Sequence, residues 1–130
     1  MALDRANMRI SLGSIFVSLR GIATQRNAAM VVATQGGRDA ANSQTTRATQ
    51  VSEDYSKVMT ADTIVTYSQT SKEKKLGLAR LLVDAARAAK DGFMILITQA
   101  YGIGQFCLDS TFMSDDIEQS VERLSKGENE

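Results

Sequence analysis

Two runs near the end of the chain, 93–99 (FMILITQ), apolar and rich in β-branched residues, and 104–110 (GQFCLDS), which carries Phe106, Cys107 and Leu108, are separated only by the tight connection AYGIG. A link that short cannot carry the chain back to start a parallel partner, so the two runs pair as antiparallel strands. The stretch before them, 76–92 (LGLARLLVDAARAAKDG), reads in two ways. Its Ala, Leu, Arg and Lys content is that of a good helix. The glycine that closes KEKKLG and the turn signal KDG favour a strand of an antiparallel meander instead. Both readings stand at this level.

Upstream, Leu12, Ile15, Phe16, Leu19, Ile22 and Ala23 recur at intervals of three and four, which predicts an amphipathic helix over 11–25. Asn27 breaks that pattern. The continuous apolar run 28–34 (AAMVVAT) then has the length and composition of a strand covered on both faces. Residues 36–50 contain no large apolar side chain and predict a loop. A short helix is expected from Ser52 as N-cap, with Glu53 and Asp54 in its first turn, and a second strand over 62–70 (DTIVTYSQT). Ile117, Val121 and Leu124 sit at helical spacing behind a capping Ser or Asp, which predicts a short C-terminal helix.

Composition excludes several classes of function. Fifteen basic and fifteen acidic side chains cancel, so there is no histone-like coat of positive charge, although a local basic patch is allowed. The chain has no histidine and a single cysteine, Cys107. The usual zinc sites are therefore out of reach, no metal site is expected, and a reduced, cytoplasmic setting is the expectation. No apolar run approaches the roughly 20 residues that span a bilayer.

The order of pieces resembles the C-terminal half of a RecA-fold ATPase, most closely the replicative DNA helicases of the DnaB type in bacteria and phages. The resemblance rests on an amphipathic helix containing LRGIA, a strand ending ATQGGR, a polar loop, TADTIVTY, a strand leading to Arg87, and a last hairpin with Gly-Gln-Phe, and it covers about 11–110. It implies an α/β fold, the C-terminal half of a RecA-like core, with parallel strands, flanking helices and an antiparallel meander or hairpin. Residues 1–113 form this partial core and 114–130 a C-terminal helix and tail.

The same resemblance implies a site. Gln35, at a strand end, corresponds to the γ-phosphate sensor, a role for which a carboxamide suits because it both donates and accepts. As a plain reading of the residues, Gln35 with Gly36 and Gly37 equally well ends a strand. Arg87 matches the arginine finger that reaches into a neighbour's nucleotide, the alternative being a solvated surface arginine. The family usually carries a lysine two residues earlier, where this chain has Ala85, so Lys90 or a partner chain would supply the missing cation. Arg38 and Arg47, with Asn42, Ser43 and Gln44, lie in the loop corresponding to the one that holds single-stranded DNA. Lacking aromatic residues, that loop would contact the backbone without reading sequence.

The phosphate-binding pattern Gly-x-x-x-x-Gly-Lys-Ser/Thr occurs nowhere in the chain, and MALD is too short for the strand that ends in a Mg²⁺-organising aspartate. The function expected is therefore a partial DnaB-like helicase in an ATP-driven ring. It would use ATP and Mg²⁺ only in an assembly with a P-loop-bearing half or other ring subunits, as a homo- or hetero-oligomer on single-stranded DNA and away from membranes. The alternative is a noncatalytic module of the same descent that binds DNA or a partner.

Overall fold

The computed structural model describes residues 5–35, 45 and 60–127, with the side chains of 5–12 left aside. Helix α1 spans Arg5–Arg26, strand β1 Thr63–Ser68, helix α2 Ser71–Leu76, β2 Leu78–Ala86, β3 Phe93–Ala100, β4 Gln105–Phe112 and helix α3 Asp115–Lys126. The four strands form one sheet in the order β1-β2-β3-β4, and every pairing is antiparallel.

The ambiguous stretch 76–92 resolves as a meander because α2 is stopped before it can grow. Thr70 caps α2 by accepting from Glu73 N (3.2 Å), and Glu73 Oε2 accepts from Thr70 N (2.8 Å), a reciprocal capping box. Seven residues after Thr70, Gly77 adopts φ 66°, and its N–H donates to helix carbonyls. A Cβ there would stand 2.9 Å from the Gln99 carbonyl oxygen, so glycine is required both for the left-handed turn and for the close approach of β3. The chain leaves Gly77 extended, and its Ala, Leu and Arg residues, helical by propensity, pair instead with two neighbouring strands. Tertiary hydrogen bonding overrides the local preference.

Successive cross-strand rows place Ser68, Arg80, Leu96 and Thr111 on one face, and Tyr67, Leu81, Ile95 and Phe112 on the other. The first face is covered by α2 and α3, bound through the guanidinium of Arg80. Its Nε donates to Glu73 Oε1 (2.5 Å) and its Nη1 to Glu118 Oε1 (3.2 Å). Arg80 and Glu73 are fully buried, whereas the Glu118 side chain is 45% exposed. Among the described residues, Ala79, Leu82, Leu96, Ile97 and Val121 make up the buried apolar core. The second face is less completely covered, leaving Val65, Phe106 and Phe112 more than half exposed.

Two expectations are corrected. Residues 28–35 carry no strand: they are irregular and exposed, with Val31 94% exposed. An apolar run becomes a strand only when a neighbour takes its backbone hydrogen bonds, and none of the described strands does so here. The parallel arrangement that depended on this run is accordingly absent among the described residues. Helix α1 forms as expected and begins earlier, at Arg5. Asn27, at φ 48°, ends it. The helix expected from Ser52 lies outside the described residues, while β1, the closing hairpin and α3 follow the sequence reading.

Because the ion pair is buried, removing one partner strands the other charge. Arg80→Ala should destabilise the chain by about 3–5 kcal/mol, and Glu118→Ala by no more than about 1 kcal/mol since that carboxylate is half solvated. Urea unfolding of the two variants gives both values. Equal losses would mean that the pair does not anchor the helices as described.

Candidate functional site

Two polar clusters stand at opposite ends of β2. The first is built where β2 ends and β1 begins. Arg87, the residue after β2, donates its backbone N–H to the Asp62 carbonyl (2.9 Å), and its Nη1 lies 3.8 Å from Asp62 Oδ1. The same carboxylate oxygen accepts from Nη2 of Arg20, on α1, at 2.9 Å, while Arg20 Nη1 donates to the Thr60 carbonyl. Arg20, Asp62 and Arg87 are all substantially exposed. Arg20 and Asp62 line an open cleft of about 400 Å³, walled also by Thr24, Asn27 and Ala29. Asp91 Oδ2 accepts from Ala86 N (3.1 Å) and so closes the β2–β3 turn in which Lys90 is exposed.

The second cluster lies where β2 starts. Gln99 N donates to Gly77 O (2.7 Å), fixing the end of β3 beside the first residues of β2. The Gln99 side chain is buried, and its Oε1 accepts from Tyr67 Oη (3.2 Å) and from Gln69 Nε2 (2.9 Å). Gln69 Nε2 also donates to Leu78 O (2.7 Å), and the Tyr67 and Tyr101 hydroxyls are 2.9 Å apart. The Phe106 ring packs against Tyr67 with centroids 5.7 Å apart. Gln99 Nε2 is buried without a hydrogen-bond partner, a costly arrangement for an amide donor. Burial, reinforced by the neighbouring Tyr101 hydroxyl, pushes the Tyr67 phenol up to about 12. The cluster thus offers neutral hydrogen-bonding groups beside exposed aromatic rings.

Nine residues of β2 separate the clusters, which at about 3.3 Å per residue places them roughly 30 Å apart. Of the residues expected to act, Arg87 sits in the first cluster. Lys90 is exposed in the adjoining turn, apart from the Arg20–Asp62–Arg87 group. Gln35 is exposed at the end of the irregular segment and does not line the cleft. Arg38, Asn42 and Arg47 lie outside the described residues. Arg20, Asp62, Tyr67, Gln69 and Gln99 escaped the sequence reading. The only hint was a glutamine closing the apolar run FMILITQ and a tyrosine inside a β-branched strand. Arg20 was hidden in a helix read only for its apolar stripe.

No group of three or more potential metal-ligating His, Cys, Asp or Glu side chains occurs among the described residues. Among them no helix is long and apolar enough to cross a membrane. Comparison with known proteins gives no match, whether to a family model, a characterised protein or a solved structure.

The raised phenol has a measurable sign. The folded chain holds the Tyr67 proton more tightly than the unfolded chain, whose phenol titrates near 10.0. Stability from this group is therefore complete below pH 10 and is lost as pH rises through about 12. Phenolate absorbance titration should show a late-titrating tyrosine that disappears in Tyr67→Phe. A Tyr67→Phe curve superimposable on that of the parent would contradict the burial of that hydroxyl.

Proposed function

We propose that the chain is the sensor-and-finger half of a DnaB-like replicative helicase core, working on single-stranded DNA in an ATP-driven assembly whose P-loop lies outside these 130 residues. The observation that carries this reading is the position of Arg87. It is a half-exposed arginine at the carboxyl end of β2, in a meander that opens at Thr63 directly after Ala61 and Asp62 and closes with the β3–β4 hairpin. That is the order of elements that the resemblance requires around a finger.

The parallel part of the core belongs to the same proposal. Asn27, Ala28 and Ala29 wall the same cleft as Asp62, so the apolar run 28–34 starts beside the start of β1. The outer edge of β1 is the edge of the described sheet. In the assembled enzyme the run adds to that edge, parallel to β1, across a connection long enough for a crossover. Gln35 then arrives at the carboxyl end of β1, near Gln69, where open α/β sheets bind their ligands. The sensor and the aromatic cluster stand at one end of the sheet, and Arg87 at the other.

Without the phosphate cradle the chain alone hydrolyses no ATP in this reading. In an assembly completed by a P-loop-bearing half, Arg87→Ala should lower turnover by on the order of 10³-fold or more while changing nucleotide affinity little, because the guanidinium acts on charge that develops in the transition state. Mixing mutant with parent chains should silence the neighbour's site. Turnover that survives Arg87→Ala within a factor of about three, negligible beside a finger effect, would reduce Arg87 to a surface residue. In the same assembly Arg38→Ala with Arg47→Ala should weaken single-strand binding and flatten its salt dependence, since fewer counterions are released. An unchanged slope would remove the 36–50 loop from the DNA path.

A further inference from the structure

The neutral cluster at the start of β2 has one unspent donor. A carbonyl oxygen only accepts, so the Gln69 atom 2.7 Å from Leu78 O is its nitrogen. That nitrogen also donates to the Gln99 side chain at 2.9 Å, which makes the atom facing it the oxygen, Oε1. The orientation of the Gln99 carboxamide is therefore fixed by its neighbours, and the group left buried without a partner is a true N–H donor, Nε2. The hydroxyls run the same way. Tyr67 Oη donates to Gln99 Oε1 (3.2 Å), so in the 2.9 Å contact between the two tyrosines the bridging proton is that of Tyr101. Every other side-chain proton of the cluster is spent inwards, and Nε2 alone lacks an acceptor. Gln99 is only 7% exposed, whereas the aromatic residues grouped with it, Tyr67, Tyr101 and Phe106, are 39%, 54% and 53% exposed.

We propose that this cluster docks a proline-rich peptide segment, whose backbone carbonyl accepts from Gln99 Nε2 while its pyrrolidine rings lie against Tyr67, Tyr101 and Phe106. The unmet need is for an acceptor. A phosphate or carboxylate is a poor one here, because the charged side chain that acts on the Tyr67 phenol, after burial and Tyr101, is the Glu73 carboxylate. A neutral carbonyl meets no such repulsion. An ordinary peptide would bring N–H groups to be buried against apolar rings, at a cost. Proline has no N–H, its ring is rigid and apolar, and a polyproline helix is already ordered before it enters an aromatic-lined groove. None of these 130 residues is proline, so the segment lies outside them. Nε2 is buried in the free chain, so docking parts the side chains over it. Tyr101, on the short 3₁₀ turn Tyr101–Ile103 that Gly104 closes at φ 69°, is the most exposed of the three rings and the one to move. This inference uses none of Gln35, Arg87 or the 36–50 loop and does not rest on the helicase reading.

The chain has no tryptophan and three tyrosines, two of them in the cluster, so tyrosine emission from the full chain reports docking directly. Titration with an unlabelled oligoproline should give a saturable change, and a glycine-serine peptide of equal length should give none. Gln99→Glu keeps the acceptor that Tyr67 and Gln69 use and removes the amide donor. It should weaken oligoproline binding by about tenfold or more, as expected for a lost hydrogen bond to a buried group. Tyr101→Ala and Phe106→Ala, both at exposed positions, should each weaken it by about three- to tenfold. Were Gln99→Glu to unfold the chain, the two ring variants decide alone. No saturable response to oligoproline, parent-like affinity in folded Gln99→Glu, or parent-like affinity in both ring variants overturns the inference. Binding of single-stranded oligothymidylate through the same residues, with none of oligoproline, also overturns it and makes the rings a base-stacking platform. Self-association of the chain that Phe106→Ala abolishes, again without oligoproline binding, overturns it in favour of a second copy.

Discussion

Arg80 is a charged side chain in the one place where charge is least tolerated, the covered face of the sheet. A buried guanidinium is stable only with its donors matched, and Glu73 matches them with one carboxylate oxygen while using the other to cap its own helix at Thr70. One residue thereby sets where α2 starts and how α2 sits on β2. Glu118 then brings α3 to the same guanidinium, and Val121, one turn further along α3, is buried there. This paired charge sets helix placement with a directionality that hydrophobic contacts lack.

The meander follows from the same few residues. Since Gly77 ends α2 abruptly, β2 begins immediately and lies centrally, flanked by β1 and β3. A central strand is held on both edges, so its two ends are the best-positioned points of the sheet. The start of β2 receives Gln69 and Gln99, which pin it by hydrogen bonds from a neighbouring strand and from a loop. Its end delivers Arg87, tied by backbone to the residue that precedes β1. Cationic and neutral-aromatic chemistry are thus separated by the length of one strand.

The parts of this arrangement that were legible in the sequence are those governed by local rules. The β3–β4 hairpin was legible from connection length, α3 from the Ser114 cap and the spacing of Ile117, Val121 and Leu124, and the end of α1 from Asn27. The path of 76–92 was not decidable from propensity, because alanine-rich LLVDAARAA is helical until a glycine and two partner strands claim its backbone. The failure at 28–34 has the opposite cause: the residues are strand-formers, but a strand needs a partner that composition cannot supply. At the site, Arg87 was singled out only through the resemblance, which expects an arginine at that strand end. Arg20 and Asp62 could not be found that way, since they are 42 residues apart in sequence and meet only in the fold, where Arg20 of α1 reaches the residues just before β1.

The separation of the two clusters constrains how copies would have to be arranged if the proposed function holds. Arg87 and the carboxyl end of β1 are too far apart, by roughly a strand length, to act on one nucleotide from one chain. A two-fold dimer would bring like ends together, finger to finger or sensor to sensor, and complete no site. Only a head-to-tail arrangement sets the Arg87 end of one copy against the sensor end of the next, and such contacts close into a ring or continue as a filament. In either geometry every interior copy donates an arginine one way and receives one from the other side. Half-exposed Arg87, its backbone tied to Asp62, is then the cation that each copy carries to that interface.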